Sequence, residues 1–457
     1  LYPKLEIEGG AGVRPHKNSI NNYCYPENPE AGIDLFLEKL VQETEKEHED
    51  IREQADETDA MFGELYSWYL RNPEYRSRVQ KLVQSAFAGK PEDIISQSVA
   101  KALYGEVSPY SATRLERFAA CAFAHFLQYG MKLTERVEYE FKPMDMGNVM
   151  HEALESFAEE VRKRGMKWTE LTEQERNEIA DRCLDNIVAD YGNTVLKSSA
   201  RNEYMIERTR RILRRTVWAL QKQLEQGEFQ PEGFEVTFGG GRIDRVDIME
   251  DQNKVYVKVI DYKTGNTSFD LVYLYHGLQL QLMIYLDGAL RVEQKKYPDK
   301  EIIPAGVFYY NIKDPMIQEK IDADVEAVSA GLMKELKMNG LVQADPELVY
   351  RMDSSLGSIP VAFNKDGSFR KNSSVADRTQ FAVLGRYVRT KIEKIRSSIL
   401  EGDAEVSPYE LGKKNACTYC PYMTVCGFDR RLSGYEFRRL KNFSDEELWK
   451  AFDREAE

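Results

Sequence analysis

The sequence predicts an α/β fold, a mixed sheet flanked by helices, preceded by a mostly helical N-terminal segment. Three observations carry this. Apolar residues recur at helical spacing between Ser111 and Leu224. The period then changes to alternation between Phe234 and Tyr262. A helical stretch, Gly277 to Leu290, and another strand-like run, Ala305 to Tyr310, follow. Strands, helix and strand in that order indicate a mixed α/β core.

Residues 1–33, rich in Gly, Pro and Asn, read as an irregular connector, and Gly32 to about Leu103 as polar helix. This gives an N-terminal part, 1–105, and a core domain, 106–457. Ser111 or Thr113 caps a helix running through Leu115, Phe118 and Phe126. A second helix follows Gly147, with Met150, Leu154, Phe157 and Val161 on one face. A third spans 203–225, with Ile206, Ile212, Leu213, Val217 and Leu220 inward and arginines outward. Phe234 to Phe238 is a short strand. Arg242 to Met249 and Val255 to Tyr262 are two more, joined by a turn at Asp251-Gln-Asn. Residues 376–400 are helical, and a cysteine cluster follows.

The chain is 42% hydrophobic and 30% charged, ordinary for a globular protein. It has no apolar run long enough to cross a bilayer. It begins Leu1-Tyr-Pro-Lys, with neither Met nor an export signal, and reads as a fragment of a longer cytoplasmic protein. The net charge of −13 argues against a uniformly basic DNA-binding surface but not against a local basic groove. In a reducing compartment structural disulfides are rare, so clustered thiols point to a metal.

The most informative stretch is Gly241-Arg-Ile-Asp-Arg-Val-Asp, then Val259-Ile-Asp-Tyr-Lys-Thr-Gly265. Strand alternation puts Val255, Val257, Val259, Asp261 and Lys263 on one face. Asp244 shares a face with Val246 and Ile248, while Asp247 points the other way and reads as a supporting or surface group. A tight turn brings Asp244 close to Asp261. Two converging carboxylates repel unless a cation lies between them, and Mg²⁺ or Mn²⁺ prefers such ligands. Lys263 points the same way and can orient a water or offset charge at a phosphate. Gln281 and Tyr285, four apart on the next helix, share a face. His151, one turn into its helix, is a candidate metal ligand. Glu235, on the preceding strand, is read as a supporting carboxylate.

The set Gly-x-x-x-His, Ile-Asp-Arg, Ile-Asp-Tyr-Lys-Thr-Gly and Gln-x-x-x-Tyr resembles the RecB-type branch of the PD-(D/E)xK (restriction-endonuclease-like) nucleases. Within it, the chain is similar to the nuclease ends of AddAB-type ATP-dependent helicase–nucleases, from about residue 108 to 435. Ser111-Ala-Thr-Arg-Leu-Glu-Arg-Phe-Ala-Ala-Cys121 and Ala305-Gly-Val-Phe-Tyr-Tyr-Asn-Ile-Lys-Asp-Pro315 share in the likeness. The resemblance implies that His151, Asp244, Asp261 and the Tyr262 carbonyl bind the metal. It makes Lys263 catalytic, with Gln281 and Tyr285 completing the site. It implies hydrolysis of single-stranded DNA from a processed duplex end, in recombinational repair of double-strand breaks in bacteria. It further implies an AddA helicase–nuclease as heterodimer partner, with residues 1–105 the tail of an upstream helicase-like region. For this family the link from Glu235 to Asp244 is short, which weakens the role of Glu235 but not that of Asp244. Two alternatives are a non-catalytic DNA-binding module and a stand-alone CRISPR-associated exonuclease of similar fold.

Cys417-Thr-Tyr-Cys420-Pro-Tyr-Met-Thr-Val-Cys426 gives three thiols, and Cys121 is the best fourth. Spacing alone leaves Zn²⁺ and a [4Fe–4S] cluster open. The resemblance implies the cluster on Cys121, Cys417, Cys420 and Cys426. Such a staple closes a loop of nearly three hundred residues. In the chain-entropy model that contributes roughly 5 to 6 kcal/mol. Arg208, Arg211 and Arg215, with Arg210 and Arg214, crowd one helix, and Arg430 follows the cysteines. They are candidate contacts for a single strand.

Overall fold

The computed structural model describes residues 29–46, 57–86, 94–105, 110–134, 143–190, 199–239, 241–317, 324–432 and 434–456. It divides into two compact units, residues 1–92 with 428–435, and residues 93–427 with 436–457. Most of the expected N-terminal connector lies outside the described residues. In the first unit, helices α1 (Pro29–Lys46), α2 (Glu57–Arg71) and α3 (Pro73–Ala86) enclose Ile33, Phe36, Leu40, Tyr69 and Val79. Phe36 stacks on Phe62 at 4.7 Å between ring centres, and the Tyr69 hydroxyl donates to the Pro29 carbonyl.

The second unit opens with α4 (Gln97–Tyr104) and α5 (Ala112–Ala120). Ser111 caps α5, its hydroxyl accepting the Arg114 N–H. The single helix expected through Phe126 is interrupted. At Cys121 the backbone turns extended, φ −165° and ψ 118°, before α6 (Ala122–His125) and a wide π turn at Phe126–Gly130. A residue with extended φ and ψ cannot carry the helical ladder onward. Next come α7 (Pro143–Lys163), α8 (Glu173–Asp190) and α9 (Ala200–Glu225).

A six-stranded mixed sheet follows, in spatial order β1 (Gln230–Phe238), β2 (Gly241–Asp251), β3 (Lys254–Lys263), β4 (Glu301–Asn311), β5 (Asn339–Gln343), β6 (Val375–Ala376). β1, β2 and β3 form an antiparallel meander, and β3 pairs parallel with β4. The parallel pair requires a crossover, supplied by α10 (Leu271–Tyr275) and α11 (Gln281–Lys296). α12 (Val325–Glu335) leads to β5, and α13 (Pro346–Met352) lies between β5 and β6. α14 (Arg378–Glu401) ends on Gly402, whose left-handed φ of 95° suits a residue without Cβ. The cysteine region holds β7 (Tyr409–Leu411), β8 (Lys414–Asn415), the turn α15 (Met423–Cys426) and β9 (Arg438–Arg439), before α16 (Asp445–Ala456).

The sheet is covered on both faces. Val246, Ile248, Val255, Val257, Val259 and Val307 pack with residues of α5, α11, α14 and α16. Met249, Tyr256, Ile260, Tyr262, Phe308 and Tyr310 pack with α7, α8 and α9. Strand alternation thus assigns each side chain to one of two cores. Asp247 falls on the second face, but it is not a surface group. It is fully buried and receives Arg245 at 2.6 Å and Lys258 at 2.9 Å. The Arg245 guanidinium also lies 5.6 Å from the Trp168 ring and 5.8 Å from Phe234. Asp247 is therefore the counter-ion that makes two buried cations tolerable, and its carboxyl is held below its ordinary range: burial opposes ionisation, and Arg245 and Lys258 outweigh it.

Candidate active site

The register of the β2–β3 ladder sets the site. Arg245 faces Ile260 and Val246 faces Val259. Beyond these pairs the Asp244 carboxylate itself accepts the Tyr262 N–H at 2.7 Å, which carries the strand end into the site. Asp261 lies one residue before Tyr262 and is 1% exposed, so the two carboxylates meet in a largely dry place. The Asp261 carboxyl is pushed up to about 7, by burial first and then by the charge of Asp244. Lys263 opposes that rise, its Nζ 2.5 Å from Asp261 Oδ2. The same Nζ donates to Gln281 Oε1 at 2.8 Å, and Gln281 Nε2 donates to the Tyr285 hydroxyl at 2.9 Å. Lysine, glutamine and tyrosine thus form one chain of hydrogen bonds leading away from Asp261.

α7 brings the imidazole. His151 Nδ1 lies 3.3 Å from Asp244 Oδ2 and 3.9 Å from Glu235 Oε1. Burial works against a charged imidazole, but Asp244 and Glu235 outweigh it and lift its pKa to about 10. The ligand atoms of His151, Glu235 and Asp244 all fall within 4.8 Å of one another. Glu235 sits with φ at 49°, in the left-handed region, within the β1–β2 hairpin that pairs Phe234 with Arg245 and Val236 with Ile243. Its other oxygen holds Arg242 at 2.5 Å. The short link to Asp244 is the hairpin that sets the two carboxylates side by side, so Glu235 stands with the candidate ligands and not behind them.

This arrangement fits a divalent cation. One imidazole and two carboxylates converge within 4.8 Å, and the charge of the buried Asp261 Oδ2 is offset by the Lys263 ion pair and, more weakly, by His151. A hard cation is the ordinary resolution of such crowding. The Tyr262 backbone reaches the site through its N–H, while its ring turns to the opposite core near Tyr310 and Arg245.

Sequence reasoning passed over Glu116. From α5 its Oε1 accepts the backbone N–H of Leu280 at 2.7 Å and of Gln281 at 2.9 Å. Burial pushes its carboxyl up to about 7 against these two amides.

A second constellation gathers the cysteines. Cys417 is pushed up to about 11, first by burial and then by Cys121, Cys420 and Cys426. Burial raises Cys121, while the amides of Ala124, Ser407 and Phe123 favour its thiolate. The thiols are free; Cys417 lies within electrostatic reach of Cys121, Cys420 and Cys426, and Cys121 within that of Cys420, so the end of α5 and residues 417–426 come near one another. Elevation of the kind seen at Cys417 is relieved when thiolates share a metal. Cys183 lies apart in the α7–α9 core, and Cys24 lies outside the described residues.

The arginines divide. Arg210 reaches Asp185 at 2.7 Å and Arg214 pairs with Asp181, so both fasten α9 to α8. Arg211 pairs with Asp314 at 2.5 Å, and Arg215 lies 5.3 Å from the Trp218 ring. Arg208 is exposed. Arg430 belongs to the segment grouped with the first unit.

The sheet, its two helical layers and the carboxylate–lysine end of β3 define a class of nuclease. Residues 109–427 match the PD-(D/E)XK nuclease superfamily, and the chain belongs to it. Members use divalent metals. The chain is 41% identical over 431 residues to the B subunit of the ATP-dependent helicase/deoxyribonuclease of Lachnoclostridium phytofermentans, covering 89% of this chain and 37% of the relative. It is 34% identical over 425 residues to the corresponding protein of Thermoanaerobacter sp., covering 88% and 37%. To that of Alkaliphilus metalliredigens it is 33% identical over 446 residues, covering 92% and 38%. The chain thus spans little more than a third of the length of these relatives. No helix among the described residues is long and apolar enough to cross a membrane.

Proposed function

We propose that this chain is the Mg²⁺-dependent deoxyribonuclease module of an AddAB-type helicase–nuclease. It hydrolyses phosphodiesters of a single strand delivered from a duplex end, beside an AddA partner, in the recombinational repair of breaks in the bacterial cytoplasm. The convergence of His151, Glu235 and Asp244 within 4.8 Å, with the Asp261–Lys263 pair at its edge, carries this reading. The similarity to helicase/deoxyribonuclease proteins supports the partner and the DNA substrate.

His151, Asp244 and Asp261 would hold Mg²⁺ or Mn²⁺, with Glu235 beside them and the Tyr262 carbonyl a further ligand. The bound ion supplies an acidified water and offsets charge at the phosphate. Lys263 places its ammonium where the attacked phosphate gains charge, and Gln281 and Tyr285 fix its direction. Cys121, Cys417, Cys420 and Cys426 would hold a [4Fe–4S] cluster as a structural staple. Arg208, Arg211, Arg215 and Arg430 are proposed contacts to the strand, and residues 1–105 the end of a helicase-like region.

Titration calorimetry with Mn²⁺ tests the ligand set. Asp244→Ala and His151→Ala are each expected to weaken binding by roughly tenfold or more. Parent-like affinity in both would refute the assignment.

A further inference from the structure

Helix α11 begins without help from its own sequence. Leu280 stands at its N-cap and provides no side-chain acceptor. An apolar residue there leaves the first amides unsatisfied. The acceptor comes from another helix. Glu116 Oε1, on α5, takes the N–H groups of both Leu280 and Gln281, 164 and 165 residues away in sequence. A carboxylate at that end also meets the positive end of the helix dipole.

What this cap holds is the start of the catalytic hydrogen-bond chain. Gln281 is the first residue of α11, and its side chain is the partner of Lys263 at 2.8 Å and of Tyr285 at 2.9 Å. First turns fray unless capped. If Gln281's backbone drifts, the hydrogen bond that sets the Lys263 ammonium drifts with it. A local Ser or Asp at the N-cap would reach the amides of the second or third helical residue and leave those of Leu280 and Gln281 untouched. Glu116 is also close enough to feel both Lys263 and Asp261. The cap is therefore built into the charge balance of the site as well as into the helix.

We propose that Glu116 is a positioning residue of the nuclease site: it fixes the first turn of α11 so that Gln281 holds Lys263 beside Asp261. This rests on the nuclease reading above. The complete polypeptide that carries this chain is the protein to assay, on a labelled single-stranded oligonucleotide at saturating Mg²⁺. Glu116→Ala is expected to lower kcat roughly 10- to 100-fold, the cost of a small misplacement. KM and the affinity for Ca²⁺, measured by calorimetry, should stay close to the parent's, because no ligand is lost. Glu116→Gln keeps the acceptor and should recover most of kcat. Because Glu116 acts through Gln281, the double variant Glu116→Ala/Gln281→Ala should be no slower than the slower single one.

A parent-like kcat in Glu116→Ala, multiplying effects in the double variant, or a Glu116→Gln as slow as Glu116→Ala would each overturn the proposal. Glu116→Asp, which keeps the charge and shortens the reach, serves if the alanine variant does not fold; a parent-like kcat there also overturns it. Asp261→Ala is run alongside. Undiminished cleavage in that variant defeats the nuclease reading itself. An inactive Asp261→Ala with fully active Glu116→Ala or Glu116→Asp defeats only the positioning role.

Discussion

Asp244 and Asp247 are three residues apart and serve opposite faces of the same strand. One meets His151 at 3.3 Å; the other neutralises Arg245 and Lys258 in the far core. Strand alternation made that division readable, together with the neighbourhood of Asp244, Asp261 and Lys263. Lys263 illustrates what the division is for. Its Nζ is shared between Asp261 and Gln281. Lys263→Ala is expected to slow DNA cleavage by roughly 100- to 1,000-fold at saturating Mg²⁺. Metal affinity should hold or rise, since a competing cation leaves Asp261; an unchanged cleavage rate would contradict this role. Glu116 gives a pH signature. Its carboxyl stands near 7 against an ordinary 4.5, raised by burial against the opposing amides of Gln281 and Leu280, with Lys263 lowering and Asp261 raising it. A carboxyl raised on folding leaves stability intact below the lower value and costs stability as pH climbs through the upper one. Metal-free parent protein should therefore lose stability relative to Glu116→Gln between about pH 4.5 and 7, and no further above. Urea denaturation at pH 4.5 and 8 checks it, and an equal gap at both would refute it. Glu116 was illegible in sequence because its partners lie more than 160 residues away. Glu235 was undervalued because alternation says nothing of a residue at positive φ in a tight hairpin.

At the scale of elements, the long periodic segments were legible. α7, α9, α14 and β2 to β4 stand where apolar spacing put them, within a few residues at their ends, whereas the helix expected over Gly277 to Leu290 is shifted along the chain to Gln281–Lys296. α8 was missed, a helix rich in charge along Glu173–Asp190 that seats only part of its surface on α7 and α9. β5 and β6 are five and two residues long, too short to show a period. The break in α5 also escaped, because nothing in Phe118-Ala-Ala-Cys-Ala-Phe forbids helix locally. The break matters: it ends α5 on Cys121, five positions after Glu116. α5 thus carries the carboxylate that caps α11, and it ends on the Cys121 thiol. The Arg438 guanidinium donates to the Ala119 carbonyl, and Phe123 N–H donates to the Glu405 carbonyl at 3.0 Å, tying this bend to the C-terminal region. α11 is seated just as closely. A Cβ on Gly288 would lie 2.6 Å from the Phe238 ring, which packs edge-on against Tyr285.

For the molecule as a whole, two distant parts of the chain close one domain. Cys121 and Cys417 bracket nearly the whole sheet and its helices. If their thiols share a [4Fe–4S] cluster, purified protein is brown, and Cys121→Ala loses the colour as completely as Cys420→Ala. That variant should also become protease-sensitive between residues 400 and 427. A colourless protein with one equivalent of zinc would exclude the cluster and keep the staple. Full cluster content in Cys121→Ala would exclude the staple. The nuclease reading turns on one point: the buried carboxylates at the ends of β2 and β3 hold a metal that cleaves DNA. Its most direct measurement is single-strand cleavage by the complete polypeptide, parent and Asp261→Ala, with Mg²⁺ and with EDTA. Cleavage is expected from the parent with Mg²⁺ only, and none from a folded Asp261→Ala under either condition. Cleavage by Asp261→Ala at the parent's rate, or by the parent in EDTA, would contradict it.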